Sequence, residues 1–470
     1  MNLFSKHKTL ILVMAVLALG VSSCRSYKDL AQAPAPDSKG LVRDTVANAT
    51  DTATIADIPW KEYFADSRLQ QLISEGLTNN PDLKVAVLRI QEAEASLMMA
   101  NGSKLPSVSA GWQLSHTRTS SGKNGTDVLG YSSTVNQLGF SASWEADLWG
   151  KINSQTKVKY AALLNSNESR NLVQTTLIAN IARAYYSLLA YDENLRITRK
   201  TVATLQKSAE TMQSLMTAGQ QNAAAVEQSK ALLYSTQLSI PALETQIRLQ
   251  EDALCVLLGR KPGPVERASI ADETVATRLS YGVPAGMLAR RPDVKQAELS
   301  LRSAYSAVDV AKASFYPSFT INSASLGLAG GFTDFFKPAN IAASIVAGLT
   351  QPLFTKNQLK GNLKIAKAQQ EEALLTFQKA VLTAGQEVSD ILFGFQSSLS
   401  KNETRGKQIE SLVKSVDYTQ ELLKAGEASY TEVLSAQRDL LSAQLNQVND
   451  KLEQLTYGVN LYKALGGGVR

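Results

Sequence analysis

From Lys151 to Ala218 the chain runs 68 residues without a single glycine or proline. The two residues that most reliably end a helix are absent over a stretch several times the ordinary helix length of roughly 11 residues. At 1.5 Å per residue the run would form a rod of roughly 100 Å, so the fold must accommodate very long helices. Within it Leu195, Thr198, Val202, Leu205, Ala209, Met212 and Met216 step by alternating threes and fours, and so do Leu441, Leu445, Val448, Leu452, Leu455 and Val459. A mean spacing of 3.5 is that of a coiled-coil seam; a helix in a compact bundle is the plainer alternative, and the length of the runs argues against it.

The runs are broken in the same way twice. LLKAGEASYTEVLSAQRDLLSAQL (Leu422–Leu445) has a weaker copy, LMTAGQQNAAAVEQSKALLYSTQL, beginning at Leu215. Upstream, NPDLKVAVLRIQEAEASLMMANGSKLPS from Asn80 aligns with RPDVKQAELSLRSAYSAVDVAKASFYPS from Arg291 at an offset of 292 − 81 = 211, and EADLWGK at Glu145 faces TQPLFTK at Thr350 at 353 − 148 = 205. Gly219 and Gly426 lie 207 apart. One unit has been duplicated, with the join in the Pro/Gly-rich GRKPGPV after Leu258. Each unit reads helix, two strands, very long helix, break, helix. The Ala-Gly pairs Ala218-Gly219 and Ala425-Gly426 then become hairpin tips, because glycine takes the left-handed conformation that ends one helix and turns the chain back.

The expected division is a signal over residues 1–23, a flexible arm over 24–58, and unit one over 59–262. Unit one holds strands at about 106–119 and 135–148, a long helix over 151–218, a tip at Gly219 and a return helix over 220–258. Unit two, 263–470, holds strands at about 317–329 and 340–354, a long helix over 356–425, a tip at Gly426 and a return helix over 427–465.

The N-terminus has a basic region, an apolar TLILVMAVLALG and small residues up to Cys24, the layout of a secretory signal. Val21-Ser22-Ser23-Cys24 resembles a bacterial lipobox, which makes Cys24 the expected lipid anchor; an ordinary signal cut nearby is the alternative. Acyl chains contribute roughly 0.8 kcal/mol per buried CH₂ and would tie the chain to membrane lipid. Arg25 stands where an aspartate often marks inner-membrane retention, which favours the outer membrane. Cys255 is the only other cysteine and reads as a packed core thiol.

Beyond the signal no run of about 18 apolar residues exists, so a membrane crossing would have to be made by strands. Val108, Ala110, Trp112 and Leu114 alternate with polar or small residues, as do Leu138, Phe140, Ala142, Trp144, Ala146 and Leu148, and then Ile341, Ala343, Ile345, Ala347 and Leu349. This is the pattern of transmembrane barrel strands. From Ser318 to Ala329 the parity changes between Phe319/Ile321 and Leu326/Leu328, which implies a bulge or a shifted boundary. The loops SSGKNGTDVLGY and the region of GGFTDFFKPAN are the expected extracellular ends. Four strands cannot close a barrel, so the chain must oligomerise; two copies would give eight strands and three would give twelve, with room for a pore.

Other functions fit poorly. Lys plus Arg (48) against Asp plus Glu (42) gives a net charge of +6 without a long basic run, so no nucleic-acid footprint is present. The two histidines, His7 and His116, leave no His pair for a metal and no Ser-His-Asp set, and no glycine-rich nucleotide loop follows a strand. Neither an enzyme nor a cofactor is expected.

Five motifs in order resemble the TolC-like outer membrane efflux family, in its lipoprotein branch: Pro59-Trp60 with Phe64, Asp66 and Leu69; WEADLWGK at Trp144; IARAYYSLLAYDENL at Ile181; MLARRPDVKQAE at Met287; and AGEASYTEVLSAQRDL at Ala425. The resemblance covers nearly the whole mature chain. It implies a mainly helical protein with a transmembrane β-barrel: a homotrimer whose twelve strands, four per chain, continue into a helical periplasmic tunnel. It also implies a periplasmic adaptor, meeting the tips at Ala218, Gly219, Ala425 and Gly426, and an inner-membrane RND-type transporter that supplies the energy. In the family the tunnel narrows near the second tip, where the matching positions are Glu432, a candidate acidic gate ring, and Ser435, often Asp in relatives. A solvated surface glutamate is the plainer account of Glu432. The implied function is a passive conduit exporting drugs or other small molecules. The alternatives are a channel for type I protein secretion and a periplasmic adaptor lipoprotein, the second disfavoured by two equal units.

Overall fold

The computed structural model describes residues 26–34, 41–43, 58–119, 131–273, 290–330 and 337–468. They fall into two compact units, one formed by residues up to 35, 89–166 and 297–377, the other by 36–88, 167–296 and 378–470. The signal, Cys24, and the loop residues 120–130 and 331–336 lie outside the described residues.

The elements run α1 (Trp60–Tyr63), α2 (Ser67–Asn79), α3 (Pro81–Gly102), β1 (Ser107–Thr119), β2 (Tyr131–Ala146), α4 (Lys151–Thr217), α5 (Ala223–Leu258), α6 (Pro292–Ala313), β3 (Ser318–Gly330), β4 (Ile341–Thr350), α7 (Gln358–Ala425) and α8 (Tyr430–Ala464). A 3₁₀ turn at Pro338–Asn340 precedes β4. β2 begins four residues before its expected start of 135. β4 stops short of 354 because Pro352 has no N–H to donate to a ladder. α7 starts at Gln358 rather than 356, since Lys356 and Asn357 sit at φ +47° and +64°, outside helical space.

In the first unit the four strands form one antiparallel sheet in the order β1-β2-β3-β4. The EADLWGK motif turns the chain from β2 into α4. Both carboxylate oxygens of Asp147 accept N–H groups from the first turn of the helix, Ile152 at 2.9 Å and Asn153 at 2.7 Å, donors that would otherwise go unpaired. Lys151 pairs with Glu145 at 2.9 Å. Trp149 stacks on Tyr316 at 4.8 Å and donates its indole N–H to the Pro317 carbonyl. Tyr27 of the arm meets Tyr160 edge-on at 5.6 Å, and Arg302 donates to the Ala31 carbonyl at 2.9 Å.

The second unit holds the helical core. Leu69, Ile73, Ile178, Ile181, Tyr185, Leu188, Leu189, Leu254, Leu258 and Tyr462 are fully buried, and at about 1.5–3 kcal/mol per buried side chain they dominate its stability. Tyr63 stacks on Tyr462 at 4.4 Å and donates to the Gly458 carbonyl at 2.7 Å. Along α4 the seam residues Leu195, Thr198, Leu205, Ala209 and Met212 are buried in the expected period. Cys255 is a free, buried thiol. The RRPDV motif acts as a clamp: Arg291 donates to both oxygens of Asp293, to Glu387 at 2.6 Å and to the Ala464 carbonyl at 2.9 Å. Burial works against the Asp293 carboxylate, but the guanidinium outweighs it and holds that group below its usual range.

The arm, expected to be flexible over 24–58, has two seated pieces. Leu30 and Val42 are buried, and the Arg43 N–H donates to Ser389 at 3.1 Å. Isolated apolar side chains in a polar stretch found sites to bury, which composition alone could not reveal.

Candidate functional site

Two places carry the functional features: the sheet of the first unit and the hairpin tips of the second.

The sheet's register explains its two faces. Val108, Ala142 and Ile345 fall in one row of the register; Ala110, Phe140, Leu326 and Ala343 form the next; Trp112, Leu138, Leu328 and Ile341 a third. Because side chains alternate with period two, these rows share one face. The change of parity in β3 is a bulge. Its pairing shifts between Ile321 and Ser323, opposite a shift between Ala142 and Trp144 on β2. One extra residue there returns Ile321 to the face of Leu326 and Leu328, so an apparent irregularity in the sequence keeps these apolar residues on one surface.

That face is open: Val108 is 71% exposed, Trp112 64% and Ile345 77%. The opposite face carries Ser107 against Ser143 and Ser109 against Ser141, with hydroxyl oxygens 2.7 and 2.8 Å apart; His116, bonded to Thr134 at 2.8 Å, follows Leu114 on the first face toward the loop end of the strands. Alternation of an exposed apolar face with a satisfied polar one is what a strand between lipid and water needs. The outer strands β1 and β4 each have one sheet neighbour, so each offers a free edge to another chain. Among the described residues no helix is long and apolar enough to cross a membrane.

At the tips the duplication is repeated bond for bond. In the first, Gly219 N donates to Met216 O and Gln220 N to Leu215 O, both at 2.9 Å. In the second, Gly426 N donates to Leu423 O at 3.1 Å and Glu427 N to Leu422 O at 2.9 Å. This is the Schellman pattern, with the left-handed residue one position past the cap. Gly219 and Gly426 both have φ +75°. Ala218, Gly219, Ala425 and Gly426 are all exposed, and an added Cβ on either glycine would meet nothing within 4 Å.

Below the tips the two hairpins share a core. Met212, Ala225, Val226, Tyr430 and Val433 pack together, with Leu215, Met216, Leu423 and Leu434 around them. Burial raises the Tyr430 phenol above its ordinary range. Gln437 donates to Ser208 at 3.2 Å, tying α8 to α4. Beside this core lies a groove of about 990 Å³, lined by the apolar Met212, Leu215 and Leu423 and by Lys200, Lys207 and Lys424.

Glu432 has a local task that the sequence reading missed. Its carboxylate accepts the Ser429 N–H at 3.0 Å, completing a capping box at the start of α8. The signal was readable: Ser429 precedes Glu432 by three residues immediately after the tip. Glu432 and Ser435 are both exposed, on the side of α8 away from Val433 and Ala436. They share a face with each other, and Asp439, one turn beyond Ser435, continues it. Among the described residues no group of three or more His, Cys, Asp or Glu side chains is placed to hold a metal ion.

The family model for outer membrane efflux proteins matches the chain twice, over residues 72–260 and 283–467. The chain belongs to the outer membrane efflux protein family. The two matches fall on the two repeats. Among its relatives are the cation efflux system protein CusC of Escherichia coli K12, 26% identical over 99% of this chain and 100% of its own, and the pyoverdine export outer membrane protein OpmQ of Pseudomonas aeruginosa, 30% identical over 98% and 97%. Of solved structures, the outer-membrane channel OprN superposes with a TM-score of 0.85 over 94% of this chain and 98% of its own, at 24% identity. The efflux protein is therefore an outer membrane channel component, a conduit and not an enzyme.

Proposed function

We propose that three copies of this chain form the outer membrane channel of a tripartite efflux system. The barrel takes twelve strands, four from each chain, with the apolar rows toward lipid and the serine rows toward the lumen. The hairpins form the periplasmic part of the conduit, and Cys24 carries acyl chains that anchor the N-terminus. A periplasmic adaptor engages the tips at Ala218-Gly219 and Ala425-Gly426, and an RND-type inner-membrane transporter supplies the work. The cargo is drugs or other small molecules; the relatives' names, one a cation system and one a pyoverdine exporter, favour small solutes of varied chemistry.

The observation that supports this reading most is the register, which gathers the apolar residues of four strands on one exposed face of a sheet whose two edges are free. Four strands are too few to close, and three copies give the first closed barrel with a lumen wide enough to conduct. The test is to measure the mass of the detergent-purified particle by light scattering and its conductance in planar bilayers. A three-chain particle with stepwise conductance is expected. A monomer that stays in solution without detergent and does not conduct would overturn the proposal.

A further inference from the structure

The sheet joins the two repeats once within the chain, where β2 of the first pairs with β3 of the second, and it leaves β1 and β4 as its edges. At the base of the sheet the repeats are built alike. Ser107 faces Ser143 as Ser318 faces Thr350, at offsets of 318 − 107 = 211 and 350 − 143 = 207. At the same two offsets a side chain from the end of the second strand closes the turn that leads from helix to first strand: Trp144 donates to the Lys104 carbonyl at 2.9 Å, and Gln351 to the Phe315 carbonyl at 3.1 Å. A contact made by one repeat at this level therefore has a counterpart in the other.

The contact that joins one repeat to the other is made only once. Trp149, after β2, stacks on Tyr316 at 4.8 Å and donates to the Pro317 carbonyl at 2.7 Å, so an aromatic side chain of the first repeat is seated on the strand entry of the second. In the aligned motifs the counterpart of Trp149 is Phe354 (354 − 149 = 205), and that of Tyr316-Pro317 is Leu105-Pro106 (317 − 106 = 211). Both halves of this second seat are open: Phe354 is 84% exposed, its neighbour Leu353 92% and Leu105 69%. Phe354 follows β4 and Leu105 precedes β1, the opposite edges of the sheet, three strand spacings or about 14 Å apart. Large apolar side chains gathered in the open mark an interaction surface. The two halves also match in chemistry. Where the inner seat pairs a tryptophan, with its N–H bonded, and a tyrosine, the open one pairs phenylalanine and leucine, which carry no polar side-chain atom to satisfy.

We propose that Phe354 of each copy is seated on Leu105-Pro106 of the next copy, repeating between chains the Trp149 seat that joins the repeats within one. The inference rests on the several-copy barrel of the proposed function and adds which side chains meet. β4 of one copy then lies beside β1 of the next, antiparallel like β2 and β3. The contact is head to tail: each chain offers the ring at one edge and the seat at the other, so only a closed ring of copies leaves neither half unfilled. A two-fold pair setting Phe354 against Phe354 would leave both Leu105-Pro106 seats open.

Phe354→p-benzoylphenylalanine, which keeps an aromatic ring at the position, tests the seat in the full chain purified in detergent. After irradiation, denaturing gels should show bands of two and three chains, and mass spectrometry should find the link in the peptide that contains Leu105 and Pro106. Trp149→p-benzoylphenylalanine is the reference: its link should fall on Tyr316 or Pro317 and leave the chain at the mass of one. Light scattering on the same samples separates this inference from the reading beneath it. In a three-chain particle, a link to detergent or lipid, to the same chain or to any other peptide of the neighbour overturns the seat while the barrel stands; a particle that never exceeds one chain overturns both. Should the larger ring hinder assembly, Phe354→Ala decides. Its three-chain particle should come apart at a lower temperature than that of the wild type, and an unchanged dissociation temperature would overturn the seat.

Discussion

The two hairpin tips stop their first helix with identical bonds and start their second with different ones. Gly219 and Gly426 share φ +75° and the same carbonyl partners. After them, Asn222 alone caps α5 through the Ala225 N–H, whereas Ser429 and Glu432 cap α8 reciprocally. At the offset of 207, exposed Ala223 corresponds to buried Tyr430 and Ala225 to Glu432. A left-handed backbone has one good residue, so both copies kept it; a helix start has several adequate solutions, and the copies drifted apart. The second tip gained a large anchor that the first lacks.

Removing that anchor should have the largest effect. Tyr430→Ala deletes a buried ring from a core built by both hairpins, at a cost of about 3 kcal/mol by analogy with other aromatic truncations. Because Met212, Ala225 and Val226 belong to the first hairpin, exchange or proteolysis should speed up at both tips. Loosening confined to the second tip would break the picture of a shared core.

The glycines should follow, and equally. Gly219→Ala and Gly426→Ala each place a Cβ in open space, so the cost is backbone strain alone, about 1–2 kcal/mol apiece. Local opening of each tip, measured by exchange, should rise by the same factor in the two variants. Unequal factors would mean that one tip contacts something the other does not, and would sharpen the assignment of the adaptor's footprint.

How far the sequence revealed this depends on whether the physics was local. The tips were legible because one glycine decides them, and the strands because period-two alternation survives in isolation; even the bulge in β3 announced itself as a parity change between Ile321 and Leu326. What stayed hidden depends on partners distant in the chain. α7 carries Gly385 and Gly394 in its interior, against helix propensity, because the Leu41 carbonyl and the Tyr457 ring approach so closely that a Cβ would come within 2.7 and 2.5 Å. The RRPDV motif was visible as a string, but its role needed Glu387 and Ala464, 96 and 173 residues further on. The Asp66–Tyr185 bond spans 119 residues and no motif joins them.

The smallest stability effect, at Glu432, separates two roles that coincide in one side chain. As the N3 residue of a capping box it stabilises α8 by about 1 kcal/mol; as a charge repeated three times around a lumen it would attract cations. Glu432→Ala removes both, so faster exchange at the start of α8 should accompany any change in conductance. Glu432→Gln retains a side chain that can accept the Ser429 N–H and removes only the charge. If the gate assignment holds, Glu432→Gln leaves exchange at the second tip unchanged and still lowers the preference for cations in planar bilayers. If selectivity changes only when the cap is lost, the carboxylate acts through the helix it starts, and the counterpart experiment, Asn222→Ala at the first tip, should change conductance just as much.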